Sequence, residues 1–505
     1  MKLHKRTLVT AIAVASASLL AGLAPAAVAA PASATAVKAN AASDFNGDGY
    51  GDLVVSQSAG TVDGKAEAGA VVVLYGSKTG VSSARKQVIT QNSPGVPGTA
   101  EAYDRFGAQT VTGDFDHDGF TDLAVSASGE DITLGTTYRR NAGQLAIVWG
   151  GKNGLTRHGG VTAAQTEPTA ADWRRGSSLA AGDFNGDGRP DLAAGDHSAG
   201  RGGEVLYGPI SRTGKPKSTV NLGVKNASTK VSTALDAGDV TGDGIGDLLI
   251  QVFHGWNEHV PGPSIEIYRG TKKGMVRSGH VTNAQGWRLG ASGTADGHVA
   301  VGDVNKDGYA DIAVGGGESR SYPHKRNEIT LVFGGPQGQS TTREPQVITQ
   351  ETFAVPDDTE DGDDFGHALS IADTNGDGHG DLAIGARGEG KMNLPYGGQV
   401  TVLLGGKRGV VGDGARVYQQ GTPGIPAKPV PHDHFGSAVH LTDVDGDRRA
   451  DVAIGSSGCE TSPSRVSVVI TPKPGTTVVR GVAYTTGQLG LTAGLSAGFG
   501  TGFGR

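Results

Sequence analysis

Short apolar runs recur along this chain at wide intervals, each set off by polar, glycine-rich stretches. One series comprises Leu53-Val54-Val55, Leu123-Ala124-Val125, Leu248-Leu249-Ile250, Ile312-Ala313-Val314, Leu382-Ala383-Ile384 and Val452-Ala453-Ile454. Runs this short, rich in β-branched residues and bounded by turn residues, predict strands. A second series ends in glycine turns: AVVVLYGSKTG from Ala70, QLAIVWGGKNG from Gln144, EITLVFGGPQG from Glu328 and QVTVLLGGKRG from Gln399. Each predicts a hairpin in which glycine supplies positive φ. The hairpin's outer strand follows as QVITQ from Gln87, QVITQ from Gln346 and RVYQQ from Arg416. Nineteen residues after each of these starts comes a Phe-Gly pair, at Phe106-Gly107, Phe365-Gly366 and Phe435-Gly436.

One nine-residue pattern precedes the strands of the first series. It reads DFNGDGYGD from Asp44, DFDHDGFTD from Asp114, DFNGDGRPD from Asp183, DVTGDGIGD from Asp239, DVNKDGYAD from Asp303, DTNGDGHGD from Asp373 and DVDGDRRAD from Asp443. The starts lie 70, 69, 56, 64, 70 and 70 residues apart. Such a recurrence means one supersecondary unit used seven times, because a unit this small cannot bury its apolar face alone. Four strands per unit predict an all-β fold, a seven-bladed β-propeller with four-stranded antiparallel blades. A sandwich would place its turns every ~10 residues rather than repeat at this spacing. The first unit has no Phe-Gly strand before it, while the last residues, AGFGTGFGR from Ala497, hold two surplus Phe-Gly pairs. The expected closure uses Phe499-Gly500 or Phe503-Gly504 as the missing strand, so that N- and C-terminal strands share one blade. A plain glycine tail is the alternative.

The nonapeptide offers side-chain oxygen at positions 1, 3, 5 and 9 and a main-chain carbonyl at 7, with glycine at 6 for the sharp turn. A hard cation such as Ca²⁺ takes that donor set. The candidate ligands are Asp44, Asn46, Asp48, Tyr50 and Asp52 in the first loop, and Asp114, Asp116, Asp118, Phe120 and Asp122 in the second. They continue with Asp183, Asn185, Asp187, Arg189 and Asp191, then Asp239, Thr241, Asp243, Ile245 and Asp247. The last three sets are Asp303, Asn305, Asp307, Tyr309 and Asp311; Asp373, Asn375, Asp377, His379 and Asp381; and Asp443, Asp445, Asp447, Arg449 and Asp451. In each set the fourth-named residue gives its carbonyl. An EF-hand is excluded because its twelfth position needs Glu, and here Val55 and Val125 stand there, inside strands. No Cys or His recurs in the set, which removes soft-metal chemistry. Each loop holds three acidic residues, the second and seventh four, a packing that costs stability unless a cation compensates. Plain Asp-Gly turns are the bland reading. Two loops are weaker: Thr241 sits at position 3 of the fourth, and Arg448 replaces the glycine of the seventh. About five to seven bound Ca²⁺ ions are expected. Lys306 and His117 fall at position 4, which is not a ligand.

Composition narrows the class. The chain has 505 residues, 84 Gly, 5% aromatic residues and a formal net charge of −7. Mild acidity with no basic stripe argues against a nucleic-acid partner. Lys2, Lys5 and Arg6 precede an uncharged run from Leu8 to Ala30, followed by small-residue sites at Ala27-Val28-Ala29 and Ala32-Ser33-Ala34. This predicts a signal peptide over 1–34, cleaved near 29 or 34, a short linker over 35–42 and the propeller over 43–505. A membrane anchor is the alternative, disfavoured by Pro25 and the Ala-rich run. No later apolar stretch approaches spanning length, so a secreted monomer is expected. Cys459 is the sole cysteine, which leaves metal, packing and closure to stabilise an exported chain.

Phe-Gly, then D-x-[DN]-x-D-G-x-x-D-[LIV], then a glycine-turn hairpin resembles the FG-GAP repeats of the integrin α-subunit propeller and related bacterial secreted proteins. The resemblance covers essentially all of 43–505. It implies Ca²⁺ loops between the first and second strands of each blade on a lower face, with partners bound on the upper face. Carried onto this chain, the upper face comprises connections such as Ser126 to Ala142, Ala386 to Tyr396, Asn92 to Asp104 and Glu351 to Asp364. Nothing here corresponds to thigh, calf or transmembrane regions, so receptor heterodimerisation is not implied.

No H-E-x-x-H helix or phosphate-binding loop is present. His432-Asp433-His434 has the residue types of a transition-metal site, though solvated histidines are the commoner case. The run Asp357, Asp358, Glu360, Asp361, Asp363, Asp364 reads as a solvated loop, with a cation site or docking patch as the sharper reading. Trp173, Trp256 and Trp287 fall near loops, where they would stack on sugars or pack between blades. The sequence therefore points to an extracellular binding or adhesion module whose ligand is a protein or glycan. Its alternatives are a secreted hydrolase or lyase with a site at the channel mouth, and a structural scaffold.

Overall fold

The computed structural model describes residues 43–505 except 156–160, 163–170, 198–201, 224–232, 253–263, 291–298, 317–326, 391–394, 459–462, 474–475, 477–478, 492–498, 501 and 505. The described residues form seven antiparallel blades, and their one helical element is a 3₁₀ turn at Gly487–Leu489. In the second blade Phe106–Gly113, Asp122–Ala127, Gln144–Val148 and Val161–Thr162 pair in chain order. The sixth blade repeats this with Phe365–Ala372, Asp381–Ala386, Gln399–Leu404 and Val411–Tyr418. Each expected series of apolar runs is thus one strand of the blade. The second strand, flanked by sheet on both sides, is apolar on both faces: Leu53–Gln57, Asp122–Ala127 and Asp381–Ala386 are buried throughout.

Leu53–Gln57, Ala70–Leu74 and Lys86–Ile89 supply three strands of the first blade, and the C-terminal segment supplies the fourth. Phe503 bridges Val55, Gly500 N–H donates to Ser56 O at 3.1 Å, and Ser56 N–H donates to Gly502 O at 3.1 Å. The register identifies the operative pair. Phe503 stands four residues after Phe499 and faces Val55, eleven after Asp44. Leu369 stands four after Phe365 and faces Ile384, eleven after Asp373. Phe499-Gly500 is therefore the first blade's Phe-Gly pair, and Phe499 is fully buried.

Blades cohere through their interfaces. Among the described residues seven apolar clusters occur, and each joins two adjacent blades. The closing one packs Leu53, Val55 and Val72 against Ala453, Val466, Val468, Phe499 and Phe503. Strand alternation sends every nonapeptide and glycine turn to one end of the propeller. The connections between second and third strands, and those between blades, lie at the other.

Candidate metal centre

Each nonapeptide is held from below by position 2, whose side chain is a core residue: Phe45, Phe115, Phe184, Val240, Val304, Thr374 and Val444 are all fully buried. Position 1 then folds its carboxylate over the loop. Asp114 accepts the Asp118 N–H on Oδ1 at 2.9 Å and the Gly119 N–H on Oδ2 at 3.0 Å. Asp44, Asp183, Asp239, Asp303 and Asp443 accept the equivalent pair, and Asp373 takes the Gly376 and Gly378 N–H groups.

Position 9 is buried under the loop and ties it to the blade's glycine turn. Asp122 accepts Phe115 N–H on Oδ2 and Gly150 N–H on Oδ1, both at 2.8 Å. Asp52, Asp191, Asp311, Asp381 and Asp451 bridge the same two places, and Asp247 does so through Thr241 and Gly270. The ninth carboxylate is thus both a candidate ligand and the loop's anchor. In Asp52 and Asp451 each oxygen accepts one of these amides and retains a lone pair for a cation, whereas Asp191, Asp311 and Asp381 take further donors from the loop.

Burial makes these carboxyls costly to ionise without a cation. It pushes Asp122 and Asp451 to about 8 and Asp52, Asp191 and Asp311 to about 7, and neighbouring carboxylates add to the rise while backbone amides oppose it. Part of the charge is offset from within. Position 5 pairs with a basic side chain in five loops: Asp48 with Arg85, Asp118 with Arg212, Asp187 with Lys217, Asp307 with Arg343 and Asp447 with Arg449. Arg212 also takes Asp116 at 2.6 Å. Arg449 stands two residues from Asp447, but the other four partners sit 30 or more residues along the chain, where no spacing in the sequence reveals them.

The residues fit a hard cation. Carboxylate oxygens of Asp114, Asp116 and Asp122 lie within 4.8 Å of one another, as do those of Asp443, Asp445 and Asp451, so both groups could hold a metal ion. In the fifth loop Asn305 donates its amide to Asp311, and its buried Oδ1 has no hydrogen-bond partner among the described residues. A buried carbonyl oxygen beside three aspartates is the donor a divalent ion needs. Backbone geometry adds a point about the non-glycine residues of the loops. Position 6 is left-handed in all seven loops, including Arg448 at φ 70°, and so is position 4, where His117 and Lys306 adopt φ 65° and 59°.

The remaining candidates fall elsewhere. His432 stacks on Tyr396 at 5.2 Å, His434 lies 5.9 Å from the same ring, and Asp433 between them is buried and bonded to Gln420 and Arg465. The two histidines thus flank an aromatic ring. The acidic run is not uniformly solvated: Asp363 is buried, and Asp364 pairs with Arg387 at 2.7 Å and His367 at 3.3 Å. Burial would raise Asp364, but those two partners outweigh it and hold it at about 2. Trp287 is exposed, whereas Trp256, Cys459 and residues 1–34 lie outside the described residues.

Fold and loops together define a class: a seven-bladed propeller that gathers one oxygen-rich loop from every blade at one end. Within that class the chain carries FG-GAP repeats. The family model described as FG-GAP repeat matches residues 36–74, 106–148, 175–206, 297–323 and 365–403. Phosphatidylinositol-glycan-specific phospholipase D of Bos taurus is 30% identical over 161 residues, 32% of this chain and 18% of that protein. Integrin alpha pat-2 of Caenorhabditis briggsae is 31% identical over 241 residues, 44% of this chain and 17% of that protein. The match thus spans under a fifth of these relatives' length. The solved rhamnogalacturonan lyase YesW covers 69% of this chain and 60% of its own at 12% identity, with a TM-score of 0.34. No helix among the described residues is long and apolar enough to cross a membrane.

Proposed function

We propose that this protein is a secreted, Ca²⁺-binding FG-GAP propeller that acts as an extracellular binding or adhesion module. One observation carries the reading: all seven oxygen-rich loops gather at one end of a closed ring, while the connections between second and third strands and between blades make up the other. Bound Ca²⁺ supplies the positive charge that the ninth carboxylates need in order to ionise under their loops. The chain's own residues do the rest. Position 1 wraps each loop, position 9 fastens it to the third strand, and the interface cores transmit that rigidity to the opposite end. A protein or glycan ligand would meet a fixed surface there, and the similarity to integrin alpha subunits supports a recognition role.

The test is thermal unfolding of the mature chain with excess Ca²⁺ and then in chelator, together with a count of bound ions. A large stabilisation with about five or more ions supports the reading, because a ligand that binds only the folded state raises its stability. No shift and no bound metal overturns it. Binding to glycan and cell-surface arrays in Ca²⁺ then tests the recognition role, which fails if nothing is retained. N-terminal sequencing of the chain recovered from culture medium checks export and the cut near residue 29 or 34.

A further inference from the structure

We propose that Gln350, Glu360, Asp363 and Glu389 form a further divalent-cation site, of the kind that takes Ca²⁺, at the end of the sixth blade opposite the nonapeptide loops. Gln350, Glu360 and Asp363 lie on the connection entering that blade, and Glu389 follows its second strand. Carboxylate oxygens of Glu360, Asp363 and Glu389 lie within 4.8 Å of one another, and Asp363 and Glu389 are 2% and 1% exposed.

The second observation is the glutamine. Gln350 is 2% exposed and reaches into the group, donating Nε2 to Glu389 Oε2 at 2.9 Å. Its Oε1 is buried with no hydrogen-bond partner among the described residues. A carbonyl oxygen left bare beside three carboxylates is what a hard cation satisfies and what a proton shared between two carboxyls does not. The backbone around the group is built closely: Gly388 donates to Asp363 O at 2.9 Å, and a Cβ on Gly388 would lie 1.7 Å from Gly362 O.

The chain also contains a copy and a contrast. Gln91, Glu101, Asp104 and Glu130 stand at the same distances from Asp114 as the four residues do from Asp373. There Gln91 donates to Glu130 at 2.6 Å, and its Oε1 is again buried without a partner. In the seventh blade Gln420 and Asp433 keep their places, but Val430 and Cys459 replace both glutamates. In that blade the glutamine Oε1 accepts the Val430 N–H at 3.0 Å, and Arg465 reaches Asp433 at 3.4 Å. Where the acids are reduced the carbonyl is satisfied and a cationic side chain stands at the aspartate; where they are kept the carbonyl is open.

The site is independent of the nonapeptide loops, and its test separates the two. Ca²⁺ alone is titrated calorimetrically into the metal-free full chain and into Glu389→Gln, Glu360→Gln and Asp122→Asn, with bound ions counted. Glu389→Gln is expected to bind one ion fewer than the parent while melting as the parent does in chelator. Glu360→Gln, at the exposed rim, weakens that same ion by about tenfold or more. Asp122→Asn affects a different ion, so a chain whose loops bind nothing would still show the ion that Glu389→Gln lacks. Unchanged ion number and affinity in both glutamate variants overturns the proposal. So does a Glu389→Gln chain destabilised equally with and without Ca²⁺, which would mark Glu389 as structural only.

Discussion

Gly51 donates its main-chain N–H to the carbonyl of Asp443 at 2.9 Å, joining position 8 of the first nonapeptide to position 1 of the last. The same rung links Thr121 to Asp44, Gly246 to Asp183, Ala310 to Asp239, Gly380 to Asp303 and Ala450 to Asp373. Six of the seven possible rungs are made, and the seventh position is Pro190, which has no N–H to give. Side chains reinforce the ring. A Cβ on Gly47, Gly242 or Gly446 would meet Phe120, Tyr309 or Tyr50 from position 7 of the neighbouring loop within 3 Å. Each aspartate at position 1 thus holds its own loop with its carboxylate and, at six positions, the next loop with its carbonyl.

The ring also closes at the C-terminal strand, and cutting it there should be severe. A chain ending at residue 498 loses the burial of Phe499 and Phe503, at about 3 kcal/mol or more each, and the bonds to Val54 and Ser56. It also bares Leu53–Gln57 as an edge strand. The expected result is a large fall in melting temperature and concentration-dependent association, read by calorimetry and light scattering. A truncated chain that melts as the parent does and stays monomeric would refute closure by this strand.

Arg448 should be improvable. It occupies φ 70° where six loops have glycine, yet its N–H still reaches Asp443 Oδ2 at 2.7 Å. Arg448→Gly removes a left-handed side chain and a cation beside the site, for a net gain of roughly 0.5–1 kcal/mol. The converse change, Gly119→Ala, introduces a Cβ that meets nothing within 4 Å at φ 93°, so its loss of about 1 kcal/mol is conformational. Denaturant titration of both variants checks the pair.

Much of this was legible and some was not. The seven-fold period, the blade strands and the Phe-Gly closure follow from apolar runs at fixed offsets, which survive because every interface core needs them. Glycine at position 4 of five loops announces positive φ, and His117 and Lys306 obscure that signal in the other two. The basic partners of position 5 were hidden because Arg85 meets Asp48 only through the three-dimensional path of a hairpin turn. The buried acids opposite the loops were hidden because a run such as Asp357 to Asp364 reads as solvated until the chain is seen to fold Asp363 inward.

Arg212 sets a competition at the second loop. Its guanidinium occupies Asp116 and Asp118 at 2.6 Å each, on oxygens that would otherwise face a cation. The arginine is half exposed, so the pair contributes little, about 1 kcal/mol or less. Arg212→Ala should therefore tighten one Ca²⁺ several-fold and slightly lower stability in chelator. Calorimetric titration reads the first effect, and unchanged affinity would show that the guanidinium does not obstruct that loop.

Asp377 offers the cleanest separation of metal from fold. Its exposed carboxylate accepts the His379 N–H at 2.8 Å, an interaction worth about 1 kcal/mol or less. Asp377→Ala should lower the melting temperature in Ca²⁺ by much more than it does in chelator. Equal losses in the two conditions would count against ligation by this residue.

Metal-free protein should lose stability as pH rises, the reverse of a protein held by ion pairs. Burial raises the folded-state values of Asp247 to about 6, Asp52, Asp191 and Asp311 to about 7, and Asp122 and Asp451 to about 8. An unfolded aspartate titrates near ~4. The folded state therefore binds more protons across the interval between, and unfolding free energy falls with pH wherever that holds. The stabilisation from these protons is complete below about pH 4 and is lost as pH rises through about 6 to 8. Ca²⁺ acts against the trend by favouring the ionised form, so the gap between Ca²⁺-loaded and metal-free stability should widen over the same interval. Urea unfolding of the dialysed chain at about pH 5 and about pH 8, with and without Ca²⁺, measures both slopes. A metal-free chain more stable at the higher pH would mean that these carboxyls ionise freely without a cation, and the case for metal beneath the loops would weaken with it.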